Sequence, residues 1–445
     1  MSSRDPVVSG TLKETSLQRF HERNATIGVV GLGYVGLSVA TALAKVGHHV
    51  MGIDQNPTRV IDVNSGCSPI EDVSSAELSA LVASGRIRAN ATVAHLREVD
   101  AVIIAVPTPV DDHRVPDLRP VREAVGAVAP LLRVGALVVL ESTTYPGTTE
   151  EVVVPALRER GLHPGSDVFV GYSPERIDPG NQTWRLANTP KVVAGLTPSC
   201  LDLVVALYET IVERVVPVST LRTAEMTKLF ENIFRVVNIA LVNEFQQICR
   251  GFNVDVWEVL DACATKPYGF MPFLPGPGLG GHCVPVDPFY LAWKARERGI
   301  ATEFIELAGR VNERQPGQVV DAVIKLLNEQ RRSLNGAQVA LIGVAYKRNV
   351  ADLRETPAAR IVQLLREAGA NVSYHDPHVP RFVVSEEEFY SCALTAEYIA
   401  TKDCVVIVTD HDAIDWEMVR TSDTTVLDTR NALRRPGVRQ SVASK

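Results

Sequence analysis

A cysteine and an aspartate lie four residues apart in a glycine- and proline-rich stretch near the middle of the chain. The stretch is Gly276-Pro-Gly-Leu-Gly-Gly-His-Cys-Val-Pro-Val-Asp-Pro288, and its pattern is neither helical nor that of a strand. Cys283 could supply a thiolate nucleophile, and Asp287 could accept a proton. Because a single cysteine is more often an inert buried thiol, this stretch alone leaves both interpretations open.

A lysine and an asparagine form a second candidate pair. Lys228 and Asn232 lie in a segment without glycine or proline between Thr223 and Arg250, where apolar residues recur every three or four positions. This pattern predicts a long helix with both side chains on one face. At ~1.5 Å per residue it would span ~40 Å, so we expect it to connect domains or to form a dimer interface. Without further context, a solvated surface pair is the ordinary interpretation of these two residues.

The N-terminal region predicts a dinucleotide-binding βαβ unit. A strand at Thr26–Val30 is followed by the turn Gly31-Leu-Gly-Tyr-Val-Gly36, a helical stretch, a strand at His49–Ile53, and Asp54. Glycine at the first position permits the tight turn, the second lets the backbone approach a pyrophosphate, and the third permits close helix packing. An acid at the end of the second strand accepts hydrogen bonds from ribose hydroxyls and favours NAD over NADP. A plain glycine-rich turn is the alternative, which the complete βαβ context makes less favourable.

Further strands are predicted at Ala101–Val106, Ala136–Glu141 and Val168–Gly171. In an open parallel sheet, the loops after such strands line the ligand crevice. Candidate residues for the cofactor site are Gly31, Gly33, Tyr34, Val35, Gly36, Asp54, Pro107, Thr108 and Ser142; Thr143 and Glu175 are further candidates by position.

A second αβ region follows Asn335. Strands are predicted at Ala337–Gly343 and Asn371–His375, with a helix at Pro357–Ala368 between them. The region lacks the G-x-G-x-x-G pattern, which suggests a second nucleotide-like ligand held differently. We therefore predict an α/β protein with two Rossmann-like doubly wound domains, joined by a long central helix and a helical dimerisation region. The predicted parts are a flexible polar leader (1–24), an NAD-binding domain (25–220), a central helical domain (221–330) and a second Rossmann-like domain for the nucleotide-like ligand (331–445).

Composition narrows the functional classes. The 445 residues are 46% hydrophobic with a formal net charge of -7, and no long basic run is present, which argues against nucleic acid as a partner. Neither a signal peptide nor an apolar run of ~18 residues is found, so a cytoplasmic protein without membrane association is expected. The seven cysteines are scattered without a Cys-x-x-Cys pair, and neither disulfides nor a metal site is predicted.

Together these segments resemble the family of UDP-sugar 6-dehydrogenases that act on UDP-glucose, UDP-N-acetylglucosamine and UDP-N-acetylmannosamine. The resemblance covers about residues 25 to 432. It rests on Gly31–Gly36, Glu141–Gly147, Ser173–Arg176, Ala224–Asn232, Gly280–Asp287, Gly343–Lys347 and Leu427–Arg430, in that order. It implies a four-electron oxidation of a sugar C6 alcohol to a carboxylate, with two NAD⁺ and a cysteine thioester.

The resemblance also implies roles for individual residues. Lys228 and Asn232 would stabilise the reacting oxygen, Asp287 would take the proton, and Cys283 would form the thiohemiacetal and thioester. Glu175 and Thr143 would position the hydrolytic water. Tyr346 would lie against the base, Lys347 and Arg430 near the diphosphate and sugar, and Arg354 near the NAD pyrophosphate; Arg176, Phe273 and Gly280 are further substrate candidates. His282 is interpreted as a loop or packing residue.

The substrate is less certain from sequence. UDP-glucose dehydrogenases typically carry a second glutamate four residues after Glu175, and this chain has Pro179 there. The surrounding residues are more similar to the N-acetylhexosamine branch, so a UDP-N-acetylhexosamine is favoured, with UDP-glucose or TDP-glucose as the alternative. A β-hydroxyacid or 6-phosphogluconate-type dehydrogenase, with one hydride transfer, is a more distant alternative. The non-enzymatic alternative is a sensor that binds NAD and a nucleotide sugar without turnover. The family is usually dimeric or larger, which predicts a homodimer or a dimer-based oligomer.

Overall fold

The computed structural model describes residues 6–111, 115–178, 181, 183–281 and 286–434. The chain divides into two compact units. The first contains the chain up to Glu231 together with Phe289–Ile300, and the second contains Asn232–Pro288 and the chain from Ala301 onwards.

The first unit is an αβ unit. Its strands are β1 (Thr26–Val30), β2 (His49–Ile53), β3 (Ile87–Asn90), β4 (Ala101–Ile104), β5 (Leu137–Leu140), β6 (Phe169–Tyr172), β7 (Lys191–Gly195) and β8 (Val215–Pro217). Its helices are α1 (Pro6–His21), α2 (Tyr34–Lys45), α3 (Pro57–Asn64), α4 (Ser75–Ala83), α5 (Arg119–Val128), α6 (Val154–Glu159) and α7 (Pro198–Tyr208). Helix α8 (Leu221–Gly251) begins in this unit.

The eight strands form one sheet in the order β3-β2-β1-β4-β5-β6-β7-β8. Neighbouring strands are parallel except β6 and β7, which are antiparallel. The register pairs Val30 with Ile104, Ile104 with Leu140, and Leu140 with Tyr172, so these strands end level with one another. The loops that follow them therefore leave from one edge of the sheet, where the strand order reverses beside β1 and ligands bind in such folds.

The central strands of the sheet are buried on both faces. All residues of β4, β5 and β6 are buried, which explains why these strands are continuous apolar runs without alternation. One core cluster joins residues of these strands to apolar residues of α2 and α7. This close packing holds the strand ends, and hence the loops after them, in place.

Helix α1 occupies most of the segment for which the sequence predicted a flexible leader. Phe20 is fully buried within the core of the first unit. The buried Ser16 hydroxyl donates a hydrogen bond to the carbonyl oxygen of Gly135 at 2.9 Å, and Arg19 donates to Asp100 at 2.6 Å. From Pro6 onwards the segment is thus an ordered helix, because its apolar and polar side chains both find partners on the αβ unit.

The second unit contains the rest of α8 and a smaller αβ region. Its other helices are α9 (Val256–Ala264), the first residues of α10 (Asp287–Arg296), α11 (Glu303–Glu329), α12 (Pro357–Glu367), α13 (Ala396–Ala400) and α14 (Trp416–Arg420). Its strands are β9 (Gln338–Ile342), β10 (Asn371–His375), β11 (Arg381–Val384), β12 (Glu387–Tyr390), β13 (Cys404–Ile407) and β14 (Val426–Asp428).

Four of these strands form a parallel sheet in the order β10-β9-β13-β14, and β11 pairs with β12 in an antiparallel hairpin. The predicted second αβ region and the predicted long helix are confirmed. Helix α8 has 31 residues, close to the bounds expected from its lack of glycine and proline. Within the described ranges, no helix combines the length and the apolar composition needed to cross a membrane.

Candidate active site

The glycine turn between β1 and α2 in the first unit contains two tightly packed glycines and an open one. Gly31 has a φ of +92°, and a Cβ on it would lie 2.5 Å from the carbonyl oxygen of Ala105. A Cβ on Gly36 would lie 1.7 Å from the carbonyl oxygen of Gly31. At Gly33, which precedes α2, no atom lies within 4 Å of such a Cβ. The space beside Gly33 and the positive end of the α2 helix dipole suit a pyrophosphate.

Asp54 links the glycine turn to the start of α3. Its carboxylate accepts hydrogen bonds from the backbone N–H groups of Leu32 and Asn56, both at 2.9 Å. The guanidinium of Arg59 lies 3.6 Å from Asp54. Since a carboxylate has about four acceptor positions, Asp54 can still accept bonds from ribose hydroxyls. The sequence predicted Asp54 but not Arg59.

The other predicted cofactor residues occupy the loops at the same sheet edge. Ser142 is buried, and its hydroxyl donates to the carbonyl oxygen of Val106 at 2.7 Å, so it joins the loops after β4 and β5. Thr108 is buried and Pro107 is exposed. Thr143 is half-buried, as are Tyr34 and Val35 at the start of α2.

Glu175 follows β6 and belongs to a buried charge cluster, which we define as Glu141, Glu175, Lys191 and Tyr208. The Lys191 ammonium lies 3.3 Å from the Glu141 carboxylate and 3.5 Å from that of Glu175. The Tyr208 hydroxyl donates to Glu141. The other oxygen of Glu175 accepts from the backbone N–H groups of Arg176, at 2.6 Å, and Ile177. Of the four cluster residues, the sequence predicted a role only for Glu175.

Burial and charge pairing shift the pKa values of Glu141, Lys191 and Tyr208 in the charge cluster. It raises the pKa of Glu141, although the Lys191 charge acts in the opposite direction. Burial alone would lower the pKa of Lys191, but the charges of Glu141 and Glu175 raise it overall. Burial and the Glu141 carboxylate raise the pKa of Tyr208 well above its usual value. Lys191 is therefore held as a cation between two acids.

Arg176 turns away from the charge cluster. Its guanidinium donates to Glu231 on α8, at 2.6 Å, and to the carbonyl oxygen of Pro190 at 2.7 Å. As a predicted substrate residue, it is thereby held in one orientation.

Helix α8 carries two buried ionisable residues in the first unit. Glu225 accepts hydrogen bonds from the backbone N–H groups of Gly147, at 2.5 Å, and Thr149, at 2.9 Å, and from the Thr149 hydroxyl at 2.7 Å. Burial raises the pKa of Glu225 to about 7, against the lowering effect of these bonds. Lys228, one turn later, is also buried, and no partner for its ammonium is found among the described residues. A buried ammonium of this kind suits binding of a ligand oxygen.

Asn232 and Asp287 belong to the second unit and contact each other. The Asn232 amide donates a hydrogen bond to the Asp287 carboxylate, and both side chains are buried. Asp287 begins helix α10. The predicted nucleophile Cys283 and its neighbour His282 lie outside the described residues.

The glycine-rich loop before Cys283 is fixed within the second unit by backbone hydrogen bonds. The N–H of Gly276 donates to Asn243 at 2.9 Å, that of Leu279 to Asn312 at 2.6 Å, and that of Gly281 to the Arg354 carbonyl oxygen at 2.8 Å. The loop is therefore held in place although it forms neither a helix nor a strand.

Its glycines make room for predicted substrate residues. A Cβ on Gly280 would lie 2.6 Å from Tyr346, one on Gly281 2.8 Å from the Tyr346 ring, and one on Gly276 2.7 Å from the Arg430 guanidinium. These glycines therefore let the loop pack closely on Tyr346 and Arg430.

The loop after β9, which carries Tyr346 and Lys347, is held by Asp376 at the end of β10. One Asp376 oxygen accepts from the backbone N–H groups of Val344, at 2.7 Å, and Ala345, at 3.1 Å. The same oxygen lies 3.1 Å from Nε2 of the buried His411. Asp376 thus has the position in this unit that Asp54 has in the first.

Three further predicted residues are also fixed within the second unit. The Arg354 guanidinium forms hydrogen bonds with Asp352 at 3.0 Å, and that of Arg430 donates to the Val408 carbonyl oxygen at 2.8 Å. Phe273 is half-buried and packs edge-to-face on Phe234.

These folds and sites define a nucleotide-dependent αβ enzyme, and comparison with known proteins specifies its family. The NAD binding domain of the UDP-glucose/GDP-mannose dehydrogenase family matches residues 25–212, its central domain residues 222–314, and its UDP binding domain residues 340–435. The chain belongs to the UDP-glucose/GDP-mannose dehydrogenase family. It is an NAD-dependent nucleotide-sugar dehydrogenase, as the sequence predicted.

Similar proteins include enzymes for acetylated sugars. The chain is 39% identical to a UDP-N-acetyl-D-glucosamine 6-dehydrogenase of Pseudomonas aeruginosa, over 80% of this chain and 84% of the relative. It is 34% identical to a UDP-N-acetyl-D-mannosamine dehydrogenase of Methanococcus maripaludis, over 92% and 93%. The solved UDP-D-ManNAc dehydrogenase of Pyrococcus horikoshii superposes with a TM-score of 0.85 at 32% identity, covering 93% of this chain and 97% of that one.

Proposed function

We propose that this enzyme oxidises the C6 hydroxyl of a UDP-N-acetylhexosamine, with UDP-N-acetylglucosamine as the first choice, to the uronic acid. Overall, the alcohol, two NAD⁺ and one water give the carboxylate, two NADH and three protons. Bound NAD⁺ supplies the hydride acceptor. The observation that carries the proposal is the buried Asn232–Asp287 pair, in which the amide holds a proton acceptor in position. Cys283 precedes this acceptor by four positions in the sequence.

The first oxidation requires a base and a cation. Asp287, directly or through a water, takes the hydroxyl proton. Lys228 stabilises the developing negative charge on the substrate oxygen, and the absence of a partner for its ammonium among the described residues supports this role. The Asn232 amide orients Asp287 and assists at the same oxygen.

The second oxidation requires a covalent intermediate. The Cys283 thiolate attacks the aldehyde carbon and makes it tetrahedral, so that a second hydride can leave and a thioester forms. Water then attacks the thioester carbon, the C–S bond breaks, and the thiolate is restored. Glu175 accepts the water proton while Thr143 helps to position the water. We also propose a cytoplasmic location, where the thiol would remain reduced.

The nucleotide is held by residues of the second unit. We assign Tyr346 to stacking on the base, Lys347 and Arg430 to the diphosphate, and Arg354 to the NAD pyrophosphate. Arg176, Phe273 and Gly280 complete the proposed substrate set. The match of the family's UDP binding domain to residues 340–435 supports this assignment over the hydroxyacid dehydrogenase alternative.

The proposed oligomer is a homodimer formed through the helical part of the second unit. Large apolar side chains are exposed there, including Phe252 at 78%, Phe304 at 74% and Tyr268 at 73%. Exposed apolar side chains in such numbers are typical of surfaces that a partner covers.

Parallel assays test the reaction and the substrate. UDP-N-acetylglucosamine, UDP-N-acetylmannosamine, UDP-glucose and TDP-glucose are compared by kcat/KM from NADH absorbance at 340 nm. We expect an acetylated sugar to have the highest kcat/KM, with two NADH formed per sugar. Exclusive use of a non-acetylated sugar would overturn the substrate proposal. Full activity of Cys283→Ser, or one NADH per sugar in the wild type, would overturn the thioester route.

A further inference from the structure

The Lys191 ammonium is enclosed by three oxygen atoms. Besides the carboxylates of Glu141 and Glu175, the carbonyl oxygen of Pro174 lies 3.4 Å from it. The Tyr208 ring lies on another side, with its centroid 5.1 Å away. Lys191 is 2% exposed, which is unusual for a lysine without a structural or functional reason.

The buried charges of this cluster do not cancel. Two carboxylates share one ammonium, so that one negative charge is in excess when both acids are ionised. Lys191 therefore serves as the shared counter-ion of both acids.

We propose that Lys191 and Glu141 are positioning residues that hold the Glu175 carboxylate in place and set its basicity for thioester hydrolysis. This inference rests on the proposed role of Glu175. Lys191 fixes one carboxylate oxygen, while the backbone N–H groups of Arg176 and Ile177 fix the other. Glu141 holds the Lys191 ammonium from another side, at 3.3 Å.

Two further polar groups among the described residues near Glu175 are directed to other partners. The guanidinium of Arg176 is engaged by Glu231 on α8, and the Tyr208 hydroxyl is directed to Glu141. Lys191 and Glu141 are therefore the groups whose removal should change the protonation of Glu175 in opposite directions. Loss of the cation should make Glu175 harder to ionise, and loss of the neighbouring acid should make it easier.

The test measures kcat against pH with UDP-N-acetylglucosamine and NAD⁺, for the wild type and for Lys191→Met, Lys191→Arg, Glu141→Gln and Glu175→Gln. We expect the acidic limb of the profile to move up by about 1 pH unit in Lys191→Met and down in Glu141→Gln. Lys191→Arg should restore the wild-type limb. Lys45→Met removes the exposed ion pair with Glu77 in the same unit and should leave the profile unchanged.

Mass spectrometry of the intact protein during turnover distinguishes failure of the positioning role from failure of the proposed role of Glu175. Glu175→Gln and Lys191→Met should both accumulate the sugar adduct because hydrolysis slows. If Glu175→Gln accumulates the adduct but the Lys191 and Glu141 variants keep the wild-type profile, the positioning role is refuted and the proposed function stands. If Glu175→Gln turns over normally, the role of Glu175 fails as well. Should Lys191→Met fail to fold, a wild-type limb in Lys191→Arg together with a lowered limb in Glu141→Gln still supports the positioning role, and an unshifted limb in Glu141→Gln refutes it.

Discussion

Replacing either of two glycines of the same turn, Gly33 or Gly36, by alanine should impair the enzyme, but for different reasons. A Cβ at position 36 would lie 1.7 Å from the Gly31 carbonyl oxygen, where 3.0 Å is the practical minimum. Helix α2 and the turn would have to separate by about 1.3 Å within a close-packed core. Such overpacking should lower the free energy of unfolding by about 3 kcal/mol, which is the upper end of the usual range for overpacked cores. In a unit of this size, that loss lowers Tm by roughly 6–12 °C.

Alanine at position 33 meets no such obstacle. The backbone of Gly33 has φ -74° and ψ -162°, which alanine adopts readily, and the space around its Cβ is open. We expect Gly33→Ala to change the free energy of unfolding by less than about 1 kcal/mol. Its methyl group should instead occupy the space of the pyrophosphate and raise KM for NAD⁺ by about tenfold or more, which corresponds to about 1.4 kcal/mol.

Thermal denaturation without ligand and initial rates at varied NAD⁺ concentration distinguish the two effects. Gly33→Ala should have the Tm of the wild type but bind NAD⁺ poorly, whereas Gly36→Ala should have a lower Tm. An unchanged KM in Gly33→Ala would show that the pyrophosphate does not approach this turn. A wild-type Tm in Gly36→Ala would refute the packing argument.

Three further outcomes follow from the structure. Because the pKa of Glu225 is raised from 4.5 to about 7 in the folded state, its contribution to stability is greatest below pH 4.5 and should decline by about 3 kcal/mol as pH rises to 7. Glu225→Gln should remove that slope in denaturant titrations at pH 5 and pH 8, and an unchanged slope would contradict it. Asp376→Asn should raise KM for the nucleotide sugar with little effect on KM for NAD⁺, because it releases the loop after β9; equal effects on both would refute that role. Phe252→Asp should yield monomers in light scattering. Val383→Asp also changes an exposed apolar residue, but at a separate position, and should leave the dimer intact. A dimeric Phe252→Asp would exclude Phe252 from the interface.

Much of the fold could be predicted because its signals are local. The bounds predicted for β1, β2 and β10 match those found, and α8 extends only slightly beyond the predicted segment. Buried parallel strands appear in the sequence as short apolar runs. In a long helix without glycine or proline, the apolar residues recur visibly at helical spacing. The antiparallel β7 and the ordered α1 were not predicted, because strand direction and helix docking depend on partners that are distant in the sequence.

The sequence by itself determined the chemistry of this protein. The glycine turn with its terminal acid specifies NAD, and the cysteine followed by an aspartate indicates the covalent oxidation that we propose, because these functions depend on residue types at fixed short spacings. Only the tertiary structure decided how those residues are supported. Lys191 reaches Glu141 and Glu175 across 50 and 16 positions of sequence, and the glycines of the central loop face Tyr346 and Arg430. No local pattern encodes such pairs, because a lysine at the start of a strand pairs with two distant acids only when folding buries all three side chains together.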